Sequence, residues 1–325
     1  MAENYVIETN KLIKRYDKIT AVAGINLKVK EGEIFGLLGP NGAGKTTTLS
    51  MLATLVKPTS GTAIVNGYDV VGQSGNVRKS IGMVFQDPSS DDVLSGRDNL
   101  YLHALLYGVN TRDINKKIDA VLALVDLKDR QNEIVKKYSG GMRRRLELAR
   151  GLLHQPKILF LDEPTLGLDP QTREHMWEYI KRLVREKHVT IIITTHYMEE
   201  ADLLCDRVAI IDHGKIVALD TPEELKRALG GDVIRLKIQK PDISALKRLK
   251  HVKKVKIENG EVFMTVDNAS ERLQGILNAV GKVSSVLLRS PTLNDVFLHY
   301  TGREIREEGE EGGYFERMIN SRRSR

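Results

Sequence analysis

The sequence predicts an α/β protein followed by a smaller α+β domain, and two patterns support this. Apolar runs at 34–38, 80–85, 157–161 and 189–195 are short, and each is followed by polar or Gly-rich residues. Such runs are typical of buried strands in a mainly parallel sheet. After Gly230-Gly231 the order becomes strand, helix, strand, strand, helix and strand, which is typical of a ferredoxin-like domain.

The length and composition fit two soluble domains. The chain has 325 residues, of which 41% are hydrophobic and 29% charged. We predict a first domain at 1–230, a second at 231–300, and a disordered tail at 301–325, which is mostly acidic to Glu311 and mostly basic afterwards.

A phosphate-binding loop is predicted at 39–47. Its sequence, GPNGAGKTT, fits the pattern G-x-x-x-x-G-K-[ST], between a predicted strand and a predicted helix. Backbone N–H groups would surround the phosphates, Lys45 would reach the β- and γ-phosphates, and Thr46 would hold Mg²⁺. The expected nucleotide-binding residues are Gly39, Pro40, Asn41, Gly42, Ala43, Gly44, Lys45, Thr46 and Thr47. The alternative is a simple Gly-rich turn.

Two adjacent carboxylates follow the apolar run at 157–161. Alternation along a strand would direct Asp162 and Glu163 to different sides, so they could have different tasks. Asp162 is suited to holding the metal, and Glu163 to orienting or deprotonating a water molecule. The alternative is a core strand that ends in solubilising acids.

Polar residues also follow two other predicted strands. Gln86 and His196 lie where strands of an α/β sheet reach the ligand crevice. Gln86 could touch Mg²⁺ or the attacking water, and His196 could contact the γ-phosphate. Alternatively, Gln86 could be a solvent-facing turn residue, and His196 could be a structural histidine.

Two further segments are candidates for nucleotide contact. Tyr16, ahead of the loop, could stack on a purine, or it could be an ordinary strand aromatic. Ser139, Gly140 and Gly141 precede a predicted helix and could form a second anion site, or Ser139 could simply cap the helix. We expect Arg143–Arg145, which follow, to form a solvated helix face.

Charge, aromatic content and cysteine content argue against a nucleic-acid-binding protein and against a disulfide-stabilised one. The net charge is +7, but aromatic residues make up 5% and no run interleaves them with Lys and Arg, so no nucleic-acid partner is expected. The single cysteine, Cys205, excludes an internal disulfide. No signal peptide or membrane-spanning stretch is expected, so action at a membrane would need another polypeptide.

Over residues 1–230 the chain resembles the ATP-binding subunits of ABC transporters. The resemblance rests on five motifs that occur in the order found in that family: the loop at 39–47, Gln86, Ser139-Gly140-Gly141, Asp162-Glu163 and His196. The segments 86–92, 94–100 and 291–298 resemble the daunorubicin-resistance type of exporter ATPase. The resemblance implies a P-loop NTPase fold of the ABC type, with an antiparallel β subdomain and a helical subdomain. The family signature Leu-Ser-Gly-Gly-Gln is changed at its ends to Tyr138 and Met142, which removes a polar contact expected of the glutamine.

The same resemblance implies ATP and Mg²⁺ as ligands and a head-to-tail homodimer. In such a dimer the serine-glycine segment of one copy covers the ATP held by the other. The implied roles are adenine stacking for Tyr16, sensing of Mg²⁺ and of the membrane partner for Gln86, catalytic base for Glu163, communication across the dimer for Asp169, and γ-phosphate contact for His196.

The predicted function is ATP hydrolysis at the cytoplasmic face of the cell membrane, driving a separate membrane permease. The resemblance suggests export of drugs, lipids or other hydrophobic compounds, although the permease would select the cargo. A soluble ABC-type ATPase acting on nucleic acid or ribosomes is the alternative, but the sequence lacks the sustained heptads and the repeat expected there. A regulatory GTPase is disfavoured because no Asn-Lys-x-Asp motif is present.

Overall fold

The computed structural model describes residues 4–238, 246, 248–258, 261–280 and 283–302. The described strands are β1 (Tyr5–Tyr16), β2 (Ile19–Lys30), β3 (Ile34–Leu38), β4 (Ser60–Val65), β5 (Tyr68–Asp69), β6 (Ile81–Val84), β7 (Ile158–Asp162), β8 (Thr190–Thr195), β9 (Arg207–Asp212), β10 (Lys215–Asp220), β11 (Asp232–Lys237), β12 (Val252–Glu258), β13 (Glu261–Val266) and β14 (Ser285–Arg289). The described α-helices are α1 (Lys45–Leu52), α2 (Ser74–Ser80), α3 (Gly96–Leu106), α4 (Ile114–Leu124), α5 (Gly140–Leu152), α6 (Pro170–Lys187), α7 (Met198–Leu204), α8 (Pro222–Arg227), α9 (Ala269–Val280) and α10 (Leu293–Thr301).

A six-stranded sheet in the order β10-β9-β3-β8-β7-β6 forms the centre of the first domain. All its neighbouring strands are parallel except β10 and β9. Every residue of β3, β7 and β8 is buried, which explains why these strands are continuous apolar runs rather than alternating ones. The carboxyl ends of β3, β6, β7 and β8 therefore meet along one edge of the sheet.

An antiparallel sheet in the order β2-β1-β4-β5 lies on one side of the phosphate loop. Its apolar side chains, such as Ile7 and Leu27, share a core with Leu49 of α1 and Phe160 of β7. The two sheets thus enclose α1 between them. The predicted antiparallel β subdomain is confirmed.

Helices α3, α4 and α5 form a helical subdomain whose core includes Leu100, Ile118 and Leu146. Helix α3 begins at Gly96. Ser95 caps it, because its hydroxyl accepts a hydrogen bond from the backbone N–H of Asp98 at 3.1 Å. None of the described helices has the length and apolar character needed to cross a bilayer.

The second domain is an antiparallel sheet in the order β12-β13-β11-β14, as in ferredoxin-like domains. Leu236, Met264 and Ile276 belong to its own core, with α9 covering one face. The first of the two helices expected in this domain lies largely outside the described residues. Residues 303–325, most of the predicted tail, also lie outside them.

Helix α10 does not pack on this sheet but on the first domain. Its Leu293, Val296 and Phe297 are buried in the same core as Ile34, Leu204 and Leu225. The helix start is fixed by a capping box of Thr292 and Asp295, and Arg289 donates two hydrogen bonds of 2.7 Å to the Asp295 carboxylate. The chain therefore returns to the first domain after completing the second sheet.

We expect Phe297→Ala to destabilise the first domain by about 3–5 kcal/mol, the usual cost of removing a fully buried phenylalanine. The single tryptophan, Trp177, lies in the same core, so its fluorescence during denaturant unfolding reports on this domain. Phe263→Ala on β13, whose ring is only partly buried, is the matched control. Equal unfolding midpoints for the two variants would contradict the packing of α10.

Candidate nucleotide-binding and catalytic site

The phosphate loop is held tightly between β2 and β9, and two of its glycines have no room for a side chain. A Cβ at Gly39 would lie 2.3 Å from the carbonyl oxygen of Ile211, and one at Gly44 would lie 2.4 Å from that of Ala21. Gly44 also has φ +105°, in the left-handed region that favours glycine. These contacts fix the backbone whose N–H groups would face phosphate oxygens.

Lys45 lies inside the loop that precedes it. Its Nζ donates hydrogen bonds to the carbonyl oxygens of Gly39 at 2.7 Å and Pro40 at 3.2 Å, and lies 3.3 Å from Oε1 of Glu163. Burial lowers the pKa of Lys45, although the Glu163 carboxylate opposes that shift. A buried ammonium group beside the loop is suited to binding phosphate.

Thr46 and Asp162 form an oxygen-rich pair beside Lys45. The hydroxyls of Thr46 and Thr194 both donate to Oδ1 of Asp162, at 3.0 and 2.6 Å. Burial raises the pKa of Asp162, and the two hydroxyl hydrogen bonds counteract it. A carboxylate and a hydroxyl fit Mg²⁺, which is usually held by one or two carboxylates together with substrate phosphates. The described residues contain no cluster of three or more His, Cys, Asp or Glu that would form a full metal cage.

Glu163 is buried and has an unusual backbone. Its φ is +47°, in the left-handed region, and its N–H donates to both the hydroxyl and the carbonyl oxygen of Thr194, at 3.0 and 3.2 Å. Asp162 and Glu163 do face different partners, as expected. The reason is this left-handed turn just beyond β7, however, rather than alternation along the strand.

The carboxylate of Glu163 lies between two nitrogen groups. Oε1 faces Lys45, and Oε2 lies 3.0 Å from Nδ1 of His196, an ion-pair distance without the alignment of a hydrogen bond. Burial alone raises the pKa of Glu163, but His196 and Lys45 outweigh it, so the net pKa lies below its usual value. The group is therefore ionised at neutral pH and can accept a proton.

The remaining predicted site residues lie apart from this cluster. Tyr16 ends β1 partly exposed, with Nζ of Lys14 4.9 Å from its ring centroid, and Gln86 is exposed after β6. Ser139 caps α5 by accepting a hydrogen bond from the N–H of Met142 at 3.2 Å. The hydrogen bonds of the Ser139 hydroxyl and of the Gln86 carbonyl oxygen are made to Met142 and Arg144, not to the loop at 39–47.

The changed ends of the signature segment have structural roles. Tyr138 is buried, and its hydroxyl donates to the carbonyl oxygen of Arg130 at 2.9 Å. Its ring fills the space that a side chain at Gly96 would need. Met142 packs partly buried against the main core. Tyr138 thus supports the helical subdomain.

The expected solvated face at Arg143–Arg145 is wrong at Arg144, which is buried. Its guanidinium group donates to carbonyl oxygens of residues at the carboxyl ends of the neighbouring strands β6 and β7: Phe85 at 2.5 Å, Gln86 at 3.0 Å, Asp162 at 3.1 Å, Glu163 at 2.6 Å and Pro164 at 2.6 Å. Successive helix residues are rotated by about 100°, so three in a row span more than half of the helix circumference. That geometry could have indicated that one arginine faces the protein.

Family models match the sequence in two places: "ABC transporter" over residues 22–166, and the C-terminal domain of DrrA1-3-like ATP-binding proteins over 221–301. The chain is 40% identical over 300 residues to the daunorubicin resistance ATP-binding protein DrrA3 of Streptomyces coeruleorubidus, covering 90% of this chain and 95% of that protein. It is 37% identical over 312 residues to the linearmycin resistance ATP-binding protein LnrL of Bacillus subtilis, covering 93% and 100%.

Solved structures agree with these sequence matches. The chain resembles cbiO1 of Clostridium perfringens, part of an ABC transporter complex, with a TM-score of 0.64 and 30% identity over 69% of this chain and 91% of that one. It also resembles a dimeric ATP-binding cassette in a post-hydrolysis state with ADP and Pi, with a TM-score of 0.61 and 26% identity over 66% and 98%. The chain therefore belongs to the ATP-binding subunits of ABC transporters, in the daunorubicin-resistance type of exporter ATPase, a family that hydrolyses ATP to power transport.

Proposed function

We propose that this chain works as a head-to-tail homodimer with a separate membrane permease, and that the assembly exports drugs, lipids or other hydrophobic compounds. The observation that carries the proposal is the cluster of Lys45, Thr46, Asp162, Glu163 and His196 beside the phosphate loop. Relatives named for daunorubicin resistance, linearmycin resistance and Nod factor export favour transport over action on nucleic acid or ribosomes.

We assign the chemistry to these residues as follows. The backbone of 39–47 and Lys45 would bind the ATP phosphates. Thr46, Asp162 and Gln86 would hold Mg²⁺, which would supply charge stabilisation on the phosphate oxygens. Glu163 takes the proton of the attacking water on its carboxylate. His196 holds that carboxylate from the other side and contacts the γ-phosphate. Tyr16 stacks on adenine.

The position of residues 139–141 supports the proposed head-to-tail dimer. The N-terminus of α5 is suited to binding an anion, because its first-turn N–H groups and the positive end of the helix dipole face the same way. The described contacts of these residues include Met142 and Thr172, and a second copy would bring its nucleotide to them. The structurally similar cassette with ADP and Pi is dimeric, which supports self-association of this chain.

The permease contact is assigned to an exposed apolar surface on α3. Tyr101, Leu102, Leu105 and Leu106 are all more than 40% exposed, and Leu106 is 75% exposed. Apolar side chains grouped on one helix are typical of a protein interface. A membrane-crossing partner of this kind is consistent with membership of the ABC transporter family.

The experiment is fractionation of cells that express the tagged chain, followed by identification of cross-linked polytopic proteins. We expect the chain in membranes with such a partner, and Leu106→Glu should release it. Ile19→Glu is the control, since Ile19 is also exposed, at 68%, but lies on β2. A membrane-free chain bound to nucleic acid or ribosomes would contradict the proposal. Compounds that stimulate ATP hydrolysis by the intact complex would then identify the cargo class.

We propose the domain division at 230/231 and a regulatory or dimerising role for the second domain. Truncation after Leu229 is a poor test, because it also removes α10 from the core of the first domain. Leu287→Glu is sharper: Leu287 is 47% exposed on β14 and lies outside that core. We expect weaker self-association or a changed rate of ATP hydrolysis. An unchanged dimer with an unchanged rate would count against the role.

A further inference from the structure

Arg144 links two segments that the proposed reaction requires. Phe85 and Gln86 follow β6, while Asp162, Glu163 and Pro164 surround the end of β7, and the guanidinium group donates to a carbonyl oxygen of each. Its Nε and both terminal nitrogens take part. The side chain is 5% exposed, so water has little access to these carbonyls.

This arrangement depends on the shape of arginine. A guanidinium group is planar, remains charged and presents five N–H donors in a fixed fork, whereas a lysine ammonium has three donors at a single point. Lysine would therefore keep the charge and the apolar stem but could not hold both segments in the same geometry.

The backbone of Glu163 is held from two directions. Its N–H donates to Thr194, and its carbonyl oxygen accepts a hydrogen bond of 2.6 Å from Nη2 of Arg144. Since Glu163 has a left-handed φ, which a non-glycine residue adopts only under constraint, these contacts stabilise the turn that aims its carboxylate at Lys45 and His196.

Glu147, also on α5, holds the part of the loop that follows Gln86. The Glu147 carboxylate, also buried, accepts hydrogen bonds from the Ser89 hydroxyl at 3.0 Å and the Ser90 N–H at 2.8 Å. Arg143 and Arg150 of α5 bind the same loop, at Asp92 and at the Ser89 hydroxyl. Helix α5 therefore holds the loop after β6 through several side chains and the end of β7 through Arg144.

We propose that Arg144 is a positioning residue that acts within its own protomer, holding Glu163 and Gln86 in place for ATP hydrolysis. Helix α5 would then serve two sites at once. Its N-terminus would cover the nucleotide of the partner, and Arg144, within the next turn and a half, would fix the base of its own site. The inference rests on the proposed function, because it takes Glu163 as the base.

Arg144→Lys tests the positioning role, with Arg145→Lys as the matched control. Arg145 lies on the same helix and donates to carbonyl oxygens of Val125 and Asp126, away from the site. We expect Arg144→Lys to lower kcat about 10- to 100-fold, because small displacements of catalytic groups have effects of this size. The KM for ATP should change less than about twofold, and the control should leave both unchanged.

A merely structural role would give a different result. Arg144→Lys would then lower the unfolding midpoint reported by Trp177 fluorescence, while kcat per folded molecule would equal that of the control. That outcome would overturn the proposal. Arg144→Gln, a neutral donor, is the second variant, and it should lower kcat with the same KM pattern.

Mixed dimers separate action within one protomer from action across the interface. Two differently tagged copies are purified together, one carrying Glu163→Gln so that a single site remains active. Arg144→Lys should lower the rate at least about tenfold when placed in the copy with intact Glu163, and by less than about twofold in the other copy. The reverse or an equal effect would overturn the proposal.

Failure of the proposed function would be recognised independently. If the Glu163→Gln homodimer hydrolyses ATP normally, Glu163 is not the base, and that assignment is wrong whatever Arg144 does. The homodimer measurements of kcat and KM for Arg144→Lys would still decide whether Arg144 affects turnover. An unchanged kcat there would reject the positioning role on its own.

Discussion

Replacing Glu163 with Gln is expected to lower the rate of ATP hydrolysis by about 10²- to 10⁴-fold while ATP binding persists, the range typical of losing a general base. The amide keeps the size of the side chain but cannot accept a proton from water at neutral pH. Because the carboxylate is held between Lys45 and His196 with a pKa below its usual value, it is ionised and ready to act in the native protein.

Phosphate release in single-turnover and steady-state assays measures this loss, and ATP titration measures binding. In size-exclusion chromatography with ATP, the variant should accumulate as a dimer, because the nucleotide that joins the subunits is no longer consumed. Glu199→Gln is the control, since Glu199 is exposed on α7 only three residues after His196. Near-normal turnover in Glu163→Gln would remove Glu163 from the catalytic role.

Lys45→Ala should instead reduce affinity for ATP, by about 10- to 100-fold. Each charge-assisted hydrogen bond contributes roughly 1.5–3 kcal/mol, and Lys45 is placed to make such bonds to the phosphates. The substitution also removes the cation beside Glu163 that lowers the pKa of that carboxyl. Binding and turnover should therefore both fall.

Calorimetric titration with ATP and Mg²⁺ measures the affinity of Lys45→Ala. Lys157→Ala is the control, because Lys157 is exposed at the start of β7, at the opposite edge of the sheet. Unchanged binding in Lys45→Ala would contradict the assignment of residues 39–47 as a phosphate-binding loop.

Much of the fold could be predicted from local patterns. Strands β3, β7 and β8 are buried on both faces, so their sequences are uniformly apolar and easily recognised. Since parallel strands end at one edge, the meeting of Lys45, Asp162, Glu163 and His196 followed from the sequence as well. These predictions need little knowledge of contacts between residues that are far apart in sequence.

Other features depend on contacts that no local pattern encodes. Helix geometry indicates that one of the three arginines faces inward, but that it is Arg144 depends on carbonyl groups at the ends of β6 and β7. The packing position of α10 depends on a surface formed by α7 and α8. The sequence of 291–298 resembles a known family, but it did not predict where this helix packs. The proposed roles of 139–141 require a second copy of the chain. For that reason, a single chain does not bring these residues to its own loop at 39–47.

The return of α10 to the first domain has a consequence for protein synthesis. The core that contains Ile34 also contains Phe297, so it can be completed only when almost the whole chain has left the ribosome. Until then, the apolar surfaces of α7 and α8 that α10 later covers stay open to water, which favours chaperone binding or aggregation of nascent chains. A transporter subunit built in this way gains its finished ATPase core only after its second domain has been made, so truncated products would carry an incomplete one.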